Sequence, residues 1–138
     1  MSISQTQTTS FKAQLFEGVH DLLTDNIYIA LYTALADLNE ATTIYTTDQE
    51  ITGTGYTAGG KLMTGVTIST YETTAYVNFA NVTWDPAAFT CYGALIYNAS
   101  KGNKSIAVLN FGGGKTCDNT FTITMPANTY TTALIRYS

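Results

Sequence analysis

The apolar positions follow two different periods, which divide the chain into a short helix and a long series of strands. Residues 1–10 are polar and lack periodicity, which predicts a flexible N-terminal arm. Apolar side chains then recur every three or four positions, as on one face of a helix: Phe11, Leu15, Phe16, Val19, Leu22 and Leu23. We predict a helix over residues 11–23, capped by Ser10 and ended by the polar residues 24–26.

After the helix the apolar period shortens to two, which indicates strands. The first strand, residues 27–32, has two alternating faces, with Ile27, Ile29 and Leu31 on one and Tyr28, Ala30 and Tyr32 on the other. A polar loop (34–50) and a glycine-rich turn (53–60) follow. The remaining predicted strands are rich in β-branched and aromatic residues: KLMTGVTIS, TAYVNFANVTW, FTCYGALIYN, KSIAVLNF, TFTITMP and TTALIRYS.

Two details refine the strand prediction. The apolar parity changes between Phe79 and Val82, which predicts a β-bulge near Ala80-Asn81. Turns are predicted at residues 98–103 and 112–119, where glycine and asparagine cluster.

About seven or eight strands after one helix predict a mainly β fold. The expected architecture is an antiparallel, jelly-roll-like β-sandwich with one N-terminal α-helix. No second helix separates the strands, which disfavours a parallel sheet. The length of 138 residues fits one domain, so we predict a single domain over residues 11–138 preceded by the arm at 1–10.

Charge is sparse, which limits the classes of partner. Six Lys and Arg face ten Asp and Glu, a net charge of −4, and the positive residues are scattered singly. Nucleic-acid-binding proteins cluster such residues, so no direct nucleic-acid partner is predicted. No apolar run is long enough to span a bilayer, and residues 1–12 lack the features of a secretory signal. We expect no membrane association, and synthesis in a cytoplasm.

The cysteines and the histidine do not suggest a metal site. Cys91 and Cys117 are expected to be reduced, partly buried thiols in a cytoplasmic protein. A disulfide requires that folding bring their Cα atoms within about 7 Å. Two cysteines and His20 make a poor zinc site, so no metal and no cofactor are predicted.

LNFGGGKT, residues 109–116, ends like a nucleotide-binding phosphate loop. The motif requires a glycine five residues before Gly114, where this chain has Leu109. It also requires a following helix, whereas a strand is predicted here. GTGYTAGG, residues 53–60, similarly departs from a dinucleotide fingerprint by one residue and precedes no helix. Both segments are predicted to be glycine-rich turns.

No catalytic residues are predicted, and the chain is not expected to be an enzyme. His20 is expected to be an exposed helical residue beside a carboxylate, since no G-x-S-x-G motif supplies a nucleophile. Four acidic residues of the 34–50 loop lack EF-hand spacing and are expected to be solvated: Asp37, Glu40, Asp48 and Glu50. A glycan hydrolase needs two facing carboxylates, for which only Glu72 and Asp85 lie among the central strand segments.

The ten tyrosines suit either sugar stacking or protein contact. Tyr28 and Tyr32 share a predicted strand face, and Tyr45 and Tyr56 lie in predicted loops. A tyrosine ring buries area at protein interfaces while its hydroxyl remains hydrogen-bonded. We favour protein contact, because stacking sites usually have acidic or amide partners clustered beside them.

Four phrases of the sequence resemble a recurrent pattern in small virion proteins of tailed bacteriophages. They are residues 27–69, 77–98, 104–116 and 121–127. The resemblance covers about Ile27 to Arg136, and its most specific parts are ALYTALADL, GTGYTAGG and GALIYN. It carries no catalytic signature.

The resemblance implies a structural protein of the virion, and first of all a capsid decoration or cement protein. Such a protein would bind the major capsid protein or other virion proteins, and also itself, with a trimer as the first expectation. The arm and the tyrosines supply the candidate interface residues: Ser2, Ile3, Ser4, Gln5, Tyr28, Tyr32 and Tyr56. The alternative is a tail or head-fibre component that touches the host surface through exposed tyrosines.

Overall fold

The structure, a computed structural model, describes residues 2–137. Among these residues, one α-helix and one 3-10 turn (Ala99–Lys101) accompany ten strands. In chain order they are β1 (Thr6–Gln7), α1 (Thr9–Phe16), β2 (Ile27–Tyr32), β3 (Lys61–Leu62), β4 (Thr67–Tyr71), β5 (Thr74–Asn78), β6 (Val82–Trp84), β7 (Phe89–Asn98), β8 (Lys104–Cys117), β9 (Phe121–Ile123) and β10 (Ile135–Tyr137).

The strands form three antiparallel sheets. The largest has the order β1-β8-β7-β2-β3, the second has the order β10-β5-β4, and β6 pairs with β9. The predicted mainly β, sandwich-like fold with one N-terminal helix is confirmed. β1 and β3 are two residues each, and the other eight strands correspond to the predicted number.

β2 lies in the interior of the large sheet and is buried on both faces. Ile27, Ile29 and Leu31 belong to the main core, while Ala30 and Tyr32 belong to a second cluster on the opposite face. The two predicted faces of this strand are confirmed. The apolar residues on both faces explain why the strand can be covered on both sides.

Different layers cover the two faces of the large sheet. On the main-core face, the smaller sheets and α1 contribute large apolar side chains, among them Phe11, Val77, Trp84 and Ile135. On the other face, the long connection between β2 and β3 contributes Ala36 and Leu38, and the N-terminal segment contributes Ile3. Within residues 2–137 no strand covers this second face, and the connection lies across it as a strap.

The helix begins earlier and ends earlier than the sequence predicts. Thr8, not Ser10, is the N-cap, and its hydroxyl accepts a hydrogen bond from the Phe11 amide at 3.3 Å. Gly18, at φ +69°, ends the helix, with hydrogen bonds from Gly18 N to Leu15 O and from Val19 N to Gln14 O. This is the pairing of a Schellman motif, in which glycine adopts the left-handed conformation at no steric cost.

The shorter helix leaves two predicted core residues in solvent. Phe16 is 94% exposed and Leu23 is 57% exposed, although both lie on the predicted apolar stripe. The predicted stripe requires one continuous helix over residues 11–23, whereas the chain changes direction at Gly18. Only Phe11 of α1 is buried.

The N-terminal segment is part of the large sheet, which corrects the predicted flexible arm. Ser4 N donates to Leu38 O at 2.9 Å, and Leu38 N donates to Ser2 O at 3.0 Å. Residues 6 and 7 then pair with residues 108 and 107 of β8. A polar segment without periodicity can still supply an edge strand, because the ladder uses backbone groups. Met1 and Ser138, the ends of the predicted arm and domain, lie outside the described residues.

The parity change after Phe79 is a change of sheet, and the predicted bulge near Ala80-Asn81 is wrong. β5 ends at Asn78 and pairs with β4 and β10, whereas β6 begins at Val82 and pairs with β9. The residues between them carry the chain from one sheet to the next. Bulges do occur between β7 and β8, at Cys91/Gly93 and at Ile96/Tyr97.

The cap assignment predicts a difference in stability between two neighbouring hydroxyl deletions. Thr8→Ala removes the acceptor for the Phe11 amide and a hydrogen bond from the Ser105 hydroxyl at 2.9 Å, both within buried surroundings. We expect the free energy of unfolding to fall by about 1–2 kcal/mol, measured by urea denaturation. Ser10→Ala is the control and should cost clearly less; an equal or larger loss would restore Ser10 as the cap.

Candidate functional site

The Gly-Gly-Gly-Lys-Thr segment lies inside β8, so the turn predicted over residues 112–119 begins only at residue 118. Gly93 pairs with Asn110 and Cys91 with Lys115, so the residues between Asn110 and Lys115 bulge out of the ladder. Gly112 and Gly113 have φ of +76° and +146°, which the bulge requires. The next element is strand β9, so no helix N-terminus supplies the amides of a phosphate loop.

The carboxylate of Glu50, on the strap between β2 and β3, accepts hydrogen bonds from three different residues. Oε1 accepts a hydrogen bond from Tyr45 at 2.6 Å. Oε2 accepts from the Tyr56 hydroxyl and from the Gly59 amide, the latter at 2.8 Å. The Tyr56 oxygen in turn accepts from the Leu31 amide of β2 at 3.0 Å. The carboxylate therefore joins three parts of the strap to one another and to the large sheet.

Two further tyrosines extend this arrangement, which we call the Glu50 cluster: Tyr32, Tyr45, Glu50, Tyr56 and Tyr97. Tyr97 donates to Gly59 O at 2.5 Å and stacks on Tyr45 with ring centroids 4.7 Å apart. Tyr32 donates to Thr46 O at 2.6 Å. Each of these hydroxyls therefore has a partner despite its burial.

The tyrosine hydroxyls of the Glu50 cluster are held in the neutral form. Burial, followed by the nearby Glu50 charge, raises the pKa of Tyr97 to about 12. Burial and the hydrogen bond to Glu50 raise the pKa values of Tyr45 and Tyr56 well above the ordinary range. A neutral phenol can donate to a carboxylate, whereas a phenolate would repel it, so the cluster is a stable set of donors around one charge.

A second polar network lies where the chain leaves α1. His20 Nε2 is 2.8 Å from Gln14 Oε1, and His20 Nδ1 is 3.0 Å from Asn98 Nδ2. The Asn98 amide also donates to Asp25 at 2.8 Å, and Asp25 forms an ion pair with Lys101 at 2.9 Å. These partners fix the neutral histidine tautomer that donates from Nε2 and accepts at Nδ1. The predicted exposed helical histidine is thus half-buried and lies beyond the helix.

Electrostatics agree with that assignment. Burial lowers the pKa of His20, and the positive charges of Lys104 and Lys101 add to this effect, against an opposing contribution from Asp25. Burial alone would raise the pKa of Asp25, but hydrogen bonds from Asn98, the Asp21 amide and Lys101 outweigh it and lower that pKa. The network therefore holds a neutral histidine beside an ionised aspartate.

An apolar groove of about 480 Å³ opens between α1 and the second sheet. Its walls come from α1, from the turn after it and from the inner face of β4, β5 and β10: Phe11, Leu15, Gly18, His20, Asp21, Leu22, Ile68, Ala75, Tyr76, Val77, Ile135 and Tyr137. His20 is the histidine of this wall, but no nucleophile is hydrogen-bonded to it. The groove can accept an apolar side chain, and the arrangement shows no acid–base pair.

The two cysteines are free thiols, one buried and one half-buried, as the sequence predicts. Cys91 pairs with Lys115 and Cys117 pairs with Phe89, which places the thiols diagonally on adjacent strands. The Cys117 thiol donates to Phe89 O at 3.6 Å. Burial raises the pKa of Cys91 to about 12, so this thiol is protonated and unreactive at neutral pH.

The candidate interface residues do not form one surface. Tyr32 is fully buried, so its assignment to an interface is wrong; its ring fills the core under the strap. Tyr28 is half-buried and stacks on Tyr97 with centroids 5.9 Å apart. Tyr56 is half-buried and engaged by Glu50. The other four lie on the N-terminal segment, where Ser2 and Gln5 are exposed and Ile3 and Ser4 are half-buried.

Sequence reasoning missed Glu50, which it placed among solvated loop acids. The signal in the sequence was the presence of tyrosines on either side, at residues 45 and 56, with glycines next to the second. That pattern was interpreted only as a turn.

Three searches for other features gave negative results. Within residues 2–137, no group of three His, Cys, Asp or Glu side chains is placed to hold a metal ion. No helix in the same range has both the length and the apolar character needed to cross a bilayer. Comparison with protein-family models, with curated proteins and with solved structures gives no match to this chain.

The hydrogen bonds of the Glu50 cluster predict that the isosteric substitution Glu50→Gln lowers the free energy of unfolding. Glu50→Gln replaces a carboxylate that accepts three hydrogen bonds with an amide that must present two N–H donors to the same partners. We expect a loss of about 1–2 kcal/mol in the free energy of unfolding, with faster amide hydrogen exchange in residues 45–60. Glu40→Gln, the same change at an exposed position of the strap, should cost less than about 0.5 kcal/mol. Equal effects at the two positions would contradict an anchoring role for Glu50.

His20 predicts a pH dependence of stability. Because its pKa is lower in the folded than in the unfolded chain, the unfolded state binds more protons below pH about 6.5. Stability is therefore full above that pH and falls as the pH drops through the unfolded-state pKa towards the folded-state one. Urea denaturation from pH 7.5 to 5 measures the slope. In His20→Asn, whose amide oxygen replaces Nδ1 as acceptor, this slope should disappear; a slope that persists would assign it to other groups.

Proposed function

We propose that this chain is a structural protein of a bacteriophage virion, namely a decoration or cement protein that binds the assembled capsid shell and stabilises it. Its partners are the major capsid protein or other virion proteins and further copies of itself. The resemblance of residues 27–136 to small virion proteins of tailed phages supports this proposal. The structural observation that carries it is the number of large apolar side chains exposed on a chain that has few charges.

The exposed apolar side chains are large and distributed over several elements. Phe16 is 94% exposed, and eight other large side chains among the described residues are more than 40% exposed: Leu23, Leu35, Ile44, Leu62, Ile68, Tyr71, Tyr130 and Tyr137. Charged residues make up only 12% of the chain. Single exposed apolar residues are normal, but this number on a charge-poor protein favours contact with other proteins.

The fold suits a component that acts by holding its shape. The large sheet is covered on both faces, and the Glu50 cluster fastens the strap to it. The N-terminal segment is paired with β8, so its exposed residues Ser2 and Gln5 are presented from a fixed edge. Contacts from a preorganised surface lose less conformational entropy on binding. Repeated over many copies on a symmetric shell, individually weak contacts then act together.

A tail or head-fibre component is the second candidate, favoured by one observation. Tyr71 and Tyr130 stack with ring centroids 4.3 Å apart, and both are more than 40% exposed. The loop that carries Tyr130 is rich in threonine, and its Asn128 donates a hydrogen bond to Thr67 of β4 at 3.2 Å. Such a pair can contact a host-surface glycan as well as a protein.

The two candidates are separated by where the protein binds. Purified protein is added to capsid shells of the same virus that were assembled without it, and bound copies are counted and located by electron microscopy. A decoration protein occupies a fixed number of equivalent sites over the shell. Binding confined to the tail or to a single vertex would support the second candidate, and no binding to any virion part would overturn both.

A substitution at Phe16 is expected to weaken binding to the shell without changing the stability of the fold. Phe16→Ser removes a side chain that is 94% exposed and so contributes little to the core. We expect an unchanged melting temperature and a loss of shell affinity of about tenfold, the equivalent of 1.4 kcal/mol. Lys12→Ser, at an exposed position of the same helix, is the matched control and should bind as the wild type. Equal affinity of both variants would remove Phe16 from the proposed interface.

A further inference from the structure

The second sheet ends in a strand whose outer edge is open. β4 is five residues long and pairs only with β5. The other sheet edges among residues 2–137 are shorter: β1 and β3 have two residues each, and β6, β9 and β10 have three. An open edge presents unpaired N–H and C=O groups that can form a ladder with another chain.

β4 lacks the usual protection of an edge strand. Thr67–Tyr71 contains no charged residue and no proline, and its register with β5 runs over five consecutive pairs without a bulge. The neighbouring short edge β3, by contrast, contains Lys61. Natural proteins commonly blunt exposed edges with lysine, proline or bulges, so an unprotected strand of this length suits pairing.

The β4–β5 turn determines which backbone groups are free. Tyr71 and Thr74 flank a two-residue turn, so they form a hydrogen-bonded pair. Such pairs alternate along an antiparallel ladder, which makes Ser69 and Thr67 the next residues bonded to β5. The N–H and C=O groups of Ile68 and Thr70 therefore point away from β5, towards the open edge.

We propose that β4 pairs antiparallel with β4 of a second copy of this chain, about a two-fold axis at Ser69, to form one continuous six-stranded sheet. In this register Ile68 lies opposite Thr70 of the second copy, and the reverse, so the free backbone groups of both residues are satisfied. Tyr71 lies opposite Thr67 of the second copy. Aromatic and β-branched cross-strand pairs of this kind stabilise a sheet.

Exposure and charge both favour a second copy as the occupant. Ile68 is 53% exposed and Tyr71, which stacks on Tyr130, is 49% exposed, and the pairing places a side chain of the second copy beside each. The charged residue nearest the strand is Glu72, in the turn at its end. Across the two-fold axis the two Glu72 side chains are about 20 Å apart, from a rise of about 3.4 Å per residue. That separation exceeds the Debye length of about 8 Å, so the like charges do not oppose pairing.

The pairing goes beyond the proposed function, because it forms without a capsid shell. It gives a two-fold symmetric dimer, whereas the sequence analysis expects a trimer. In an isologous contact of this type both copies use the same strand edge, so no open edge of β4 remains in the dimer. The chain therefore avoids the open-ended strand addition that an unprotected edge otherwise permits.

Disulfide trapping tests the register. Ser69→Cys is made in a Cys117→Ser background, which leaves only the buried Cys91. Two Ser69 positions face each other as a non-hydrogen-bonded pair, where Cβ atoms are about 4.5–5.5 Å apart and a disulfide can form. Thr70→Cys is the control, because it lies opposite Ile68 and not opposite itself. We expect about tenfold more cross-linked dimer from Ser69→Cys under mild oxidation. Equal yields from the two variants would overturn the proposed register.

Self-association without added cysteines tests the edge itself. Ile68→Lys places a charge on the edge, and Ile44→Lys is the matched control at an isoleucine that is 52% exposed. Sedimentation equilibrium should show a dimer for the wild type and for Ile44→Lys, and a dissociation constant at least about tenfold higher for Ile68→Lys. A wild-type chain that is monomeric at every concentration, or equal dimerisation of both variants, would overturn the proposal. These results do not depend on shell binding, so failure here and failure of the proposed function are distinguishable.

Discussion

The structure depends on the burial of one sheet on both of its faces. β2 and β7 carry apolar residues at nearly every position, so neither face of the large sheet can be left in water. One face is covered by further strands, which is the ordinary arrangement of a sandwich. The other is covered by an irregular strap, and an irregular segment leaves many backbone groups to be satisfied one by one. The rest of the molecule is organised around that requirement.

The Glu50 cluster shows how the requirement is met. A single carboxylate accepts hydrogen bonds from two tyrosine hydroxyls and one backbone amide. The Tyr56 oxygen in turn accepts a hydrogen bond from a backbone amide of β2. Tyrosine suits this position because its ring covers apolar surface while its hydroxyl reaches a polar partner. Four of the ten tyrosines of the chain therefore act inside the molecule, between strap and sheet.

The sequence predicts well those elements whose apolar residues recur at a regular local period. The alternation of residues 27–32 predicts both the strand and its two faces, because each residue's neighbours along the strand determine which side it occupies. Gly18 is a local signal for the end of α1. The apolar stripe continues past it, however, and predicts a helix that is too long. β1 could not be predicted, because a two-residue strand of Thr and Gln has no period and its partner lies about a hundred residues away.

The candidate site was less predictable than the fold for a related reason. Glu50 is one acidic residue among four on the strap, and the tyrosines at residues 45 and 56 that flank it are equally compatible with a solvated loop. Its role arises when the strap folds back and brings residues 45, 56 and 59 to one carboxylate. Likewise, His20 was assigned from its helical neighbours, whereas its partner Asn98 lies on β7. Contacts of this kind form only when distant segments fold together, so the local sequence does not identify them.

The pairing of β1 with β8 also sets the order in which the protein can fold during its synthesis. Residues 6 and 7 leave the ribosome well before their partners at 107 and 108, which are made about a hundred residues later. Until β7 is made, β2 lacks its long neighbour in the large sheet, and until β8 is made, β1 has no partner. The nascent chain must therefore keep the apolar strand β2 shielded until β7 follows, and the β1–β8 pairing joins two segments that are synthesised far apart in time.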